Sequence, residues 1–155
     1  MALVFFPPGS WSKRFGPSFF TVRMIGSHPD DSNKYDLYNM EVERGECDAN
    51  ELLQTGDTTC SYVQESIAFR RRYSEFLELR GALERCGYRK ALDSVEDETP
   101  FPPKTFFNRK ASVVKTRVEQ LRLWLERLLQ RKEIVGTAPV FEFLQLGKLY
   151  SRNEA

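Results

Sequence analysis

Hydrophobic and polar residues alternate along three early segments of the chain, as they do in strands that bury one face. The apolar positions of the three segments are Phe20, Val22 and Met24; Tyr38, Met40 and Val42; and Val63, Ile67 and Phe69. The turn-forming sequence GSHPDDSN separates the first two segments, and a longer polar sequence, GECDANELLQTGDTTC, separates the second from the third. Three successive strands of this kind predict an antiparallel meander.

The hydrophobic period becomes that of a helix after Ser74, which we expect to be the N-cap. Phe76, Leu79 and Leu83 recur at positions i, i+3 and i+7, which predicts one buried face. Gly87 is expected to end this first helix, because glycine tolerates the left-handed backbone common at helix C-termini.

A second and longer helix is predicted between Ser112, its expected cap, and Gly136, its expected end. Its apolar stripe consists of Val114, Val118, Leu121, Leu125, Leu128 and Leu129. Thr137 begins a short third helix. Residues 93–103, DSVEDETPFPP, predict an acidic and then proline-rich loop between the first two helices.

The order of these elements indicates an α+β fold, in which a three-stranded antiparallel meander packs against a helical subdomain. The length of 155 residues suits one domain with one core. Prolines and glycines interrupt the beginning of the chain. We therefore expect an irregular N-terminal arm over residues 1–16, one domain over 17–147 and a C-terminal tail over 148–155.

The distribution of charge along the chain is more informative than the net charge. The formal net charge is only +1. Residues 36–65 carry eight acidic side chains and one basic side chain, whereas basic residues cluster from Arg70 onward. A near-neutral chain can therefore present a basic face, which is the electrostatic footprint of an anionic partner.

Motifs of catalysis and metal binding do not occur in the sequence. His28 is the only histidine, and there is no GxSxG, HExxH or Walker sequence. Cys47, Cys60 and Cys86 lack the spacing of zinc ligands, and their odd number argues against a disulfide framework. We therefore expect no enzyme, no cofactor and no metal site. Nucleic-acid binding is not expected either, because no recognition motif accompanies the basic residues.

The cysteine usage indicates a reducing compartment. No apolar run reaches the roughly 18 residues of a membrane span, and MALVFFPPGSW lacks the basic start of a signal peptide. These features predict a protein of the cytosol, or of the cytosolic side of a membrane.

Three arginines in the stretch AFRRRYSEFLELR lie where the predicted third strand meets the first helix. Arg70 and Arg72 are expected on the strand face away from the core, and Arg71 is expected to turn toward the structure or an acidic neighbour. A helix N-terminus and an arginine fork both suit a phosphate. Basic residues at a strand end are also often merely solvated, and Tyr73 would then be a core tyrosine with its hydroxyl outward. The stretch by itself leaves both interpretations open.

Two later cations favour an anion site. Lys104 follows PFPP, whose stiff, polyproline-like turn holds a cation in place. Arg117 lies early in the second helix, and its spacing to Leu121 and Leu125 places it on or next to the buried stripe. A charge beside a core face requires a partner.

The order RRRYSEF, PFPPK and R-x-x-x-L-x-x-x-L resembles the phox-homology (PX) domain of the sorting nexins. FFTVRMI, YDLYNMEV and ESIAFRRRYSEF resemble its three strands, and FLELRGALE resembles its first helix. VVKTRVEQLRLWLERLL resembles the helix after the proline-rich loop. The resemblance covers residues 17–147, although the insertion over residues 45–61 is longer than the family usually has.

The resemblance implies a pocket for phosphatidylinositol 3-phosphate in membranes. Arg72 would hold the 3-phosphate, and Tyr73 would stack against the inositol ring. Lys104 would reach the 1-phosphate, and Arg117 would bond the 4- and 5-hydroxyls. The implied function is recruitment of the protein to early endosomal membranes for protein sorting.

Residues around this implied pocket suggest further contacts with the membrane. Arg70 and Arg109 are auxiliary cations that could accept a second phosphate. Phe106 and Phe107 stand next to cations, which is typical of interfacial insertion, although two phenylalanines could equally cap the core. The PxxP spacing in residues 100–103 is also compatible with an SH3 ligand, and a structural loop is the alternative.

A second function remains open on the same fold. The chain could be a protein-interaction module whose lipid pocket is weak or has a different phosphoinositide specificity. Sorting-coat subunits or cargo tails would then be the partners, and the acidic region 36–57 and the arm are the candidate surfaces.

Overall fold

The computed structural model describes residues 4–5, 18–32, 35–46, 62–104 and 111–150. Its strands are β1 (Val4–Phe5), β2 (Ser18–Pro29), β3 (Asp36–Glu46) and β4 (Tyr62–Arg72). Its helices are α1 (Tyr73–Arg85), α2 (Arg89–Glu98), α3 (Ala111–Leu129), α4 (Lys132–Val135), α5 (Ala138–Phe143) and α6 (Gly147–Tyr150). Strands precede helices, and the predicted α+β fold is confirmed.

The strands form one antiparallel sheet in the order β1-β2-β3-β4, so the predicted meander of β2, β3 and β4 is confirmed. The pairs Val22–Val42 and Met40–Phe69 show its register. The apolar positions predicted for β2 and β3 are all buried. Phe69 of β4 is partly buried and packs against the same core.

Strand β1 lies within the segment for which the sequence predicts an irregular arm. Val4 pairs with Val22, and Phe5 pairs with Thr21. Two residues are too few to show a period of two, so alternation does not reveal this strand. The other residues of the arm lie outside the described part of the chain.

Helix α1 begins two residues earlier than expected, and the prediction that Ser74 is its N-cap is wrong. Arg72 occupies the N-cap position, and the helix starts at Tyr73. The N–H of Arg72 donates to Glu75 Oε1 at 3.0 Å. The carboxylate at the third helical position therefore satisfies a backbone donor at the start of the helix, as in a capping box.

Gly87, with a φ of +91°, follows the end of α1 as predicted. The next residues form α2, so the loop predicted over 93–103 is wrong for residues 93–98. Ala91, Leu92 and Val95 are the buried residues of α2. Three apolar residues among acidic neighbours make a narrow stripe, which is why the pattern does not reveal the helix. The proline-rich segment therefore follows α2 rather than α1.

Helix α3 ends at Leu129, and the expected continuation to Gly136 is wrong. Gln130 and Arg131 donate N–H hydrogen bonds to carbonyls three residues back, at 3.2 and 3.1 Å, which tightens and closes the helix. The short helix α4 then carries buried residues up to Gly136, so the apolar pattern conceals the break. Thr137 is the N-cap of α5, so the short helix predicted to begin at this residue is confirmed.

One hydrophobic core lies between the sheet and the helices. Its largest fully buried side chains include Trp124, Tyr38, Phe20 and Phe76. Leu149 in α6 is 1% exposed, so core packing continues past residue 147. This core fixes the end of β4 and the start of α1 against α3 and α5.

Candidate functional site

The three arginines at the end of β4 lie in different environments because side chains alternate along a strand. The Arg71 side chain is only 15% exposed. Its Nε and Nη2 donate to the Phe143 carbonyl at 3.1 and 2.9 Å, and its Nη1 donates to Glu75 Oε2 at 3.1 Å. Its guanidinium carbon is 4.8 Å from the Phe69 ring centroid. Arg71 therefore joins β4 to α5, and its predicted turn toward the structure is confirmed.

Arg70 and Arg72 are exposed, and alternation places them on the strand face opposite to Arg71. The guanidinium carbon of Arg72 lies 4.1 Å from the centroid of the Tyr35 ring. Tyr35 belongs to the turn between β2 and β3, and sequence reasoning did not identify it. Arg72 is therefore a cation at the strand–helix junction that rests on an aromatic ring.

Tyr73 connects this junction to the proline-rich segment. Its hydroxyl donates to the Pro102 carbonyl at 2.7 Å, and its ring centroid is 5.6 Å from that of Phe101. Burial raises the pKa of the Tyr73 phenol, and the positive charges of Arg117 and Arg80 partly offset this effect. The proline-rich segment therefore contacts both the ring and the hydroxyl of Tyr73.

Arg117 brings α3 to the same place. Its guanidinium carbon lies 5.0 Å from the Tyr73 ring centroid, and its Nη2 donates to the Pro103 carbonyl at 3.4 Å. Burial raises the pKa of the neighbouring Tyr38 phenol, and the positive charge of Arg117 acts in the opposite direction. Arg117 thus has the partners that a charge beside a core face requires.

Phe101 anchors the proline-rich segment. The centroid of the Phe101 ring lies 4.9 Å from that of Trp124. The guanidinium carbon of Arg80 lies 5.6 Å from the same Phe101 centroid. Arg80 is held in turn by Glu96 of α2, through Nη2 at 2.8 Å and Nε at 3.0 Å. These hydrogen bonds raise the pKa of Arg80. The missed helix α2 therefore helps to place the segment that carries Pro102 and Pro103.

Lys104 directly follows Pro103 and is exposed. The structure thus brings together Tyr73, Arg117 and the segment that leads to Lys104, with Arg72 adjacent in the chain to Tyr73. Phe106, Phe107 and Arg109 lie outside the described residues, as do Cys47, Cys60 and most of the insertion. Cys86 is exposed and free.

A separate cleft of about 310 Å³ lies between α1 and α5. Leu79 and Phe143 line it, together with two arginines, Arg71 and Arg85, and three carboxylates, of which Glu142 is one. Arg71 points into this cleft, whereas Arg72 points to the other face of the strand. The carboxylates outnumber the arginines, and Arg71 is already bonded to Glu75 and the Phe143 carbonyl, so the cleft is a poor site for an anion. The arrangement around Tyr73 and Arg117 is therefore the candidate site.

Among the described residues, none of the helices combines the length and the apolar character that a membrane span requires. No curated protein matches the sequence. A sequence model of the PX domain family matches residues 61–146, which is more than half of the 155 residues.

Two solved structures share the fold. A designed CISK-PX domain is 19% identical, with a TM-score of 0.52 and coverage of 80% of this chain and 97% of that one. The mouse SNX19 PX domain, solved with a bound sulphate ion, is 23% identical, with a TM-score of 0.52 and coverage of 84% and 99%. PX domains are generally non-catalytic. The sequence match and the shared fold together show that this chain belongs to the PX domain family, a family of phosphoinositide-binding modules of membrane trafficking.

Proposed function

We propose that this PX domain binds phosphatidylinositol 3-phosphate through Arg72, Tyr73, Lys104 and Arg117. Arg72 binds the 3-phosphate, Tyr73 packs against the inositol ring and Lys104 binds the 1-phosphate. Arg117 bonds the 4- and 5-hydroxyls. The observation that carries the proposal is the double contact of Arg117 with the Tyr73 ring and the Pro103 carbonyl, because it joins three segments that are distant in sequence.

Charge supports this ligand. The 3-phosphate is a monoester with a charge of about −1.5 to −2 near neutral pH. The 1-phosphate is a diester and adds one further negative charge. Three cations therefore face roughly three negative charges, and arginine–phosphate hydrogen bonds are among the stronger ones in proteins.

The geometry of Arg117 supports the assignment of the ring hydroxyls. A guanidinium carries five N–H donors in one plane, so it can serve more than one acceptor at a time. The contact with the Tyr73 ring keeps the guanidinium beside the surface on which an inositol ring would lie. A lysine at this position would lack both the plane and the fork of donors.

The domain also contacts the membrane itself. Phe106 and Phe107 insert among the acyl chains, and Arg70 and Arg109 face anionic headgroups. Headgroup contacts alone supply modest affinity because each ordered side chain has an entropic cost. Residence on the membrane therefore depends on insertion as well as on the pocket.

At the cellular level, we propose a peripheral membrane protein on the cytosolic face of early endosomes that acts in protein sorting, as sorting nexins do. The lipid-binding unit is the domain of residues 17–147, with α6 packed as its continuation. Sorting-coat subunits or cargo tails are the proposed protein partners.

The test is co-sedimentation of the protein with liposomes that each contain one phosphoinositide. Wild type, Arg72→Ala and Arg131→Ala are compared; Arg131 is an exposed arginine after α3 and serves as the charge-matched control. We expect selective pelleting with the 3-phosphate lipid, and a loss of about 10-fold or more in affinity for Arg72→Ala only, from one missing charge-assisted interaction. Equal pelleting with all acidic lipids, unaffected by Arg72→Ala, would show that the pocket does not bind and would favour the protein-interaction module.

A further inference from the structure

Tyr35 lies beside the proposed site but is not one of the four residues that form the proposed pocket. Its side of the sheet follows from the register: Leu37 of β3 pairs with Arg72 of β4. Directly paired residues project to the same face, and Tyr35 precedes Leu37 by two residues. Tyr35 therefore faces the same side as Arg72, where the guanidinium carbon lies 4.1 Å from the ring centroid.

The turn that carries Tyr35 is held by one carboxylate. The Asp30 N–H donates to the Tyr35 carbonyl at 3.0 Å, and the Tyr35 N–H donates to Asp30 Oδ1 at 3.2 Å. The Ser32 N–H donates to Asp30 Oδ2 at 3.2 Å, and the Ser32 hydroxyl donates to the same oxygen. Asp30 thus closes the turn on both sides and places the Tyr35 backbone.

Arg72 is fixed at its other end by its own backbone. Its N–H donates to Glu75 Oε1 at 3.0 Å, so the Cα position is set at the start of α1. The Tyr35 ring then supports the guanidinium. An arginine side chain without such support must lose its rotamer freedom when it binds.

We propose that Tyr35 is a positioning residue for Arg72, and that it presents the guanidinium to the 3-phosphate in the orientation that binding requires. The ring supports the guanidinium at its central carbon, and the N–H donors, which lie in the guanidinium plane, remain available for the phosphate. This role rests on the proposed function. Tyr35 acts through Arg72 and does not itself contact the ligand.

The experiment measures the affinity of the folded domain for soluble inositol 1,3-bisphosphate by calorimetry. Tyr35→Ala should weaken binding about 3- to 5-fold, as expected for an exposed cation–π contact. Tyr35→Phe should retain the wild-type affinity because the ring is kept. Ile25→Ala, which removes an apolar side chain 50% exposed on β2, is the control and should change nothing.

Two further measurements separate positioning from other roles. In an Arg72→Ala background, assayed on liposomes with the 3-phosphate lipid, Tyr35→Ala should have no additional effect. In the ligand-free protein, the NMR signal of Arg72 Nε–H should shift when the ring is removed.

Each result has a defined meaning. A Tyr35→Ala affinity equal to wild type, an equally weak Tyr35→Phe, or an effect that persists without Arg72 overturns the positioning role and leaves the proposed function intact. A wild-type domain that fails to bind the headgroup overturns the proposed function. In that case the NMR shift still tells whether Tyr35 orders Arg72.

Discussion

Replacing Arg71 should destabilise the fold, while replacing either neighbouring arginine should not. Arg71 donates two hydrogen bonds to the Phe143 carbonyl, and its side chain is 15% exposed. Arg71→Ala leaves that carbonyl without its charged donor. Arg70 is exposed on the opposite face, so Arg70→Ala is a matched control from the same strand.

The size of the effect follows from these contacts. Hydrogen bonds to a charged donor contribute about 1.5–3 kcal/mol. The ion pair with Glu75, whose side chain is 37% exposed, adds less than about 1 kcal/mol after solvent screening. We expect the free energy of unfolding to fall by about 2–4 kcal/mol. For a chain of 155 residues this lowers Tm by about 5–15 °C.

The assay is urea unfolding together with thermal melting of wild type, Arg71→Ala, Arg71→Met and Arg70→Ala. Arg71→Met keeps much of the apolar stem and should recover part of the loss. Arg70→Ala should stay within about 0.5 kcal/mol of wild type. Equal melting temperatures for Arg71→Ala and Arg70→Ala would refute the assignment of Arg71 as the link between β4 and α5. Headgroup affinity should be unchanged in Arg71→Ala below its melting temperature.

Three further predictions concern the site and its surroundings. Phe101→Ala should weaken headgroup binding and lower the free energy of unfolding by about 2–4 kcal/mol, because the proline-rich segment loses its anchor. Headgroup affinity is measured by calorimetry, with a substitution of the exposed Leu77, Leu77→Ala, as the control. Equal headgroup affinities of the two variants would contradict the anchoring role. Burial raises the pKa of Tyr38 above its ordinary value of 10.0. The neutral phenol therefore makes its full contribution to the free energy of unfolding below pH 10.0, and this contribution is lost as the pH rises through the folded-state pKa. Urea unfolding between about pH 9 and 11 should therefore show a smaller fall for Tyr38→Phe than for wild type, and parallel curves would contradict this. Joint replacement of Phe106 and Phe107 by Ala should weaken liposome binding and spare soluble headgroup binding; if neither changes, insertion is wrong.

Much of the fold could be predicted because its pattern is local. The alternation at Phe20, Val22 and Met24 is visible within five residues, and the same holds for β3. Helix α2 could not be predicted because its three buried residues stand among acidic ones. Its stability comes from packing and from the Arg80–Glu96 ion pair. That pair joins two segments whose contact no local pattern shows.

The residues of the candidate site likewise fall into those that the sequence indicates and those that only the fold reveals. Tyr73 and Arg117 could be singled out from their neighbours in sequence, and the structure brings them together. Tyr35 could not, because its relation to Arg72 depends on the pairing register of β3 with β4. The role of Phe101 could not be predicted either, since a phenylalanine between prolines has no periodic neighbours. Long-range partners of this kind need the fold before they can be named.

The alternation at the end of β4 also bears on transplanting the site into another protein. Three identical side chains carry no information about their own alignment, since a shift by one residue would again place arginines on both faces. The residues that define the alignment are the flanking Phe69, which must face the core, and Tyr73, which must begin the helix. A graft of RRR alone would therefore reproduce the charge of this site without its orientation, and the smallest transferable unit includes both aromatic neighbours.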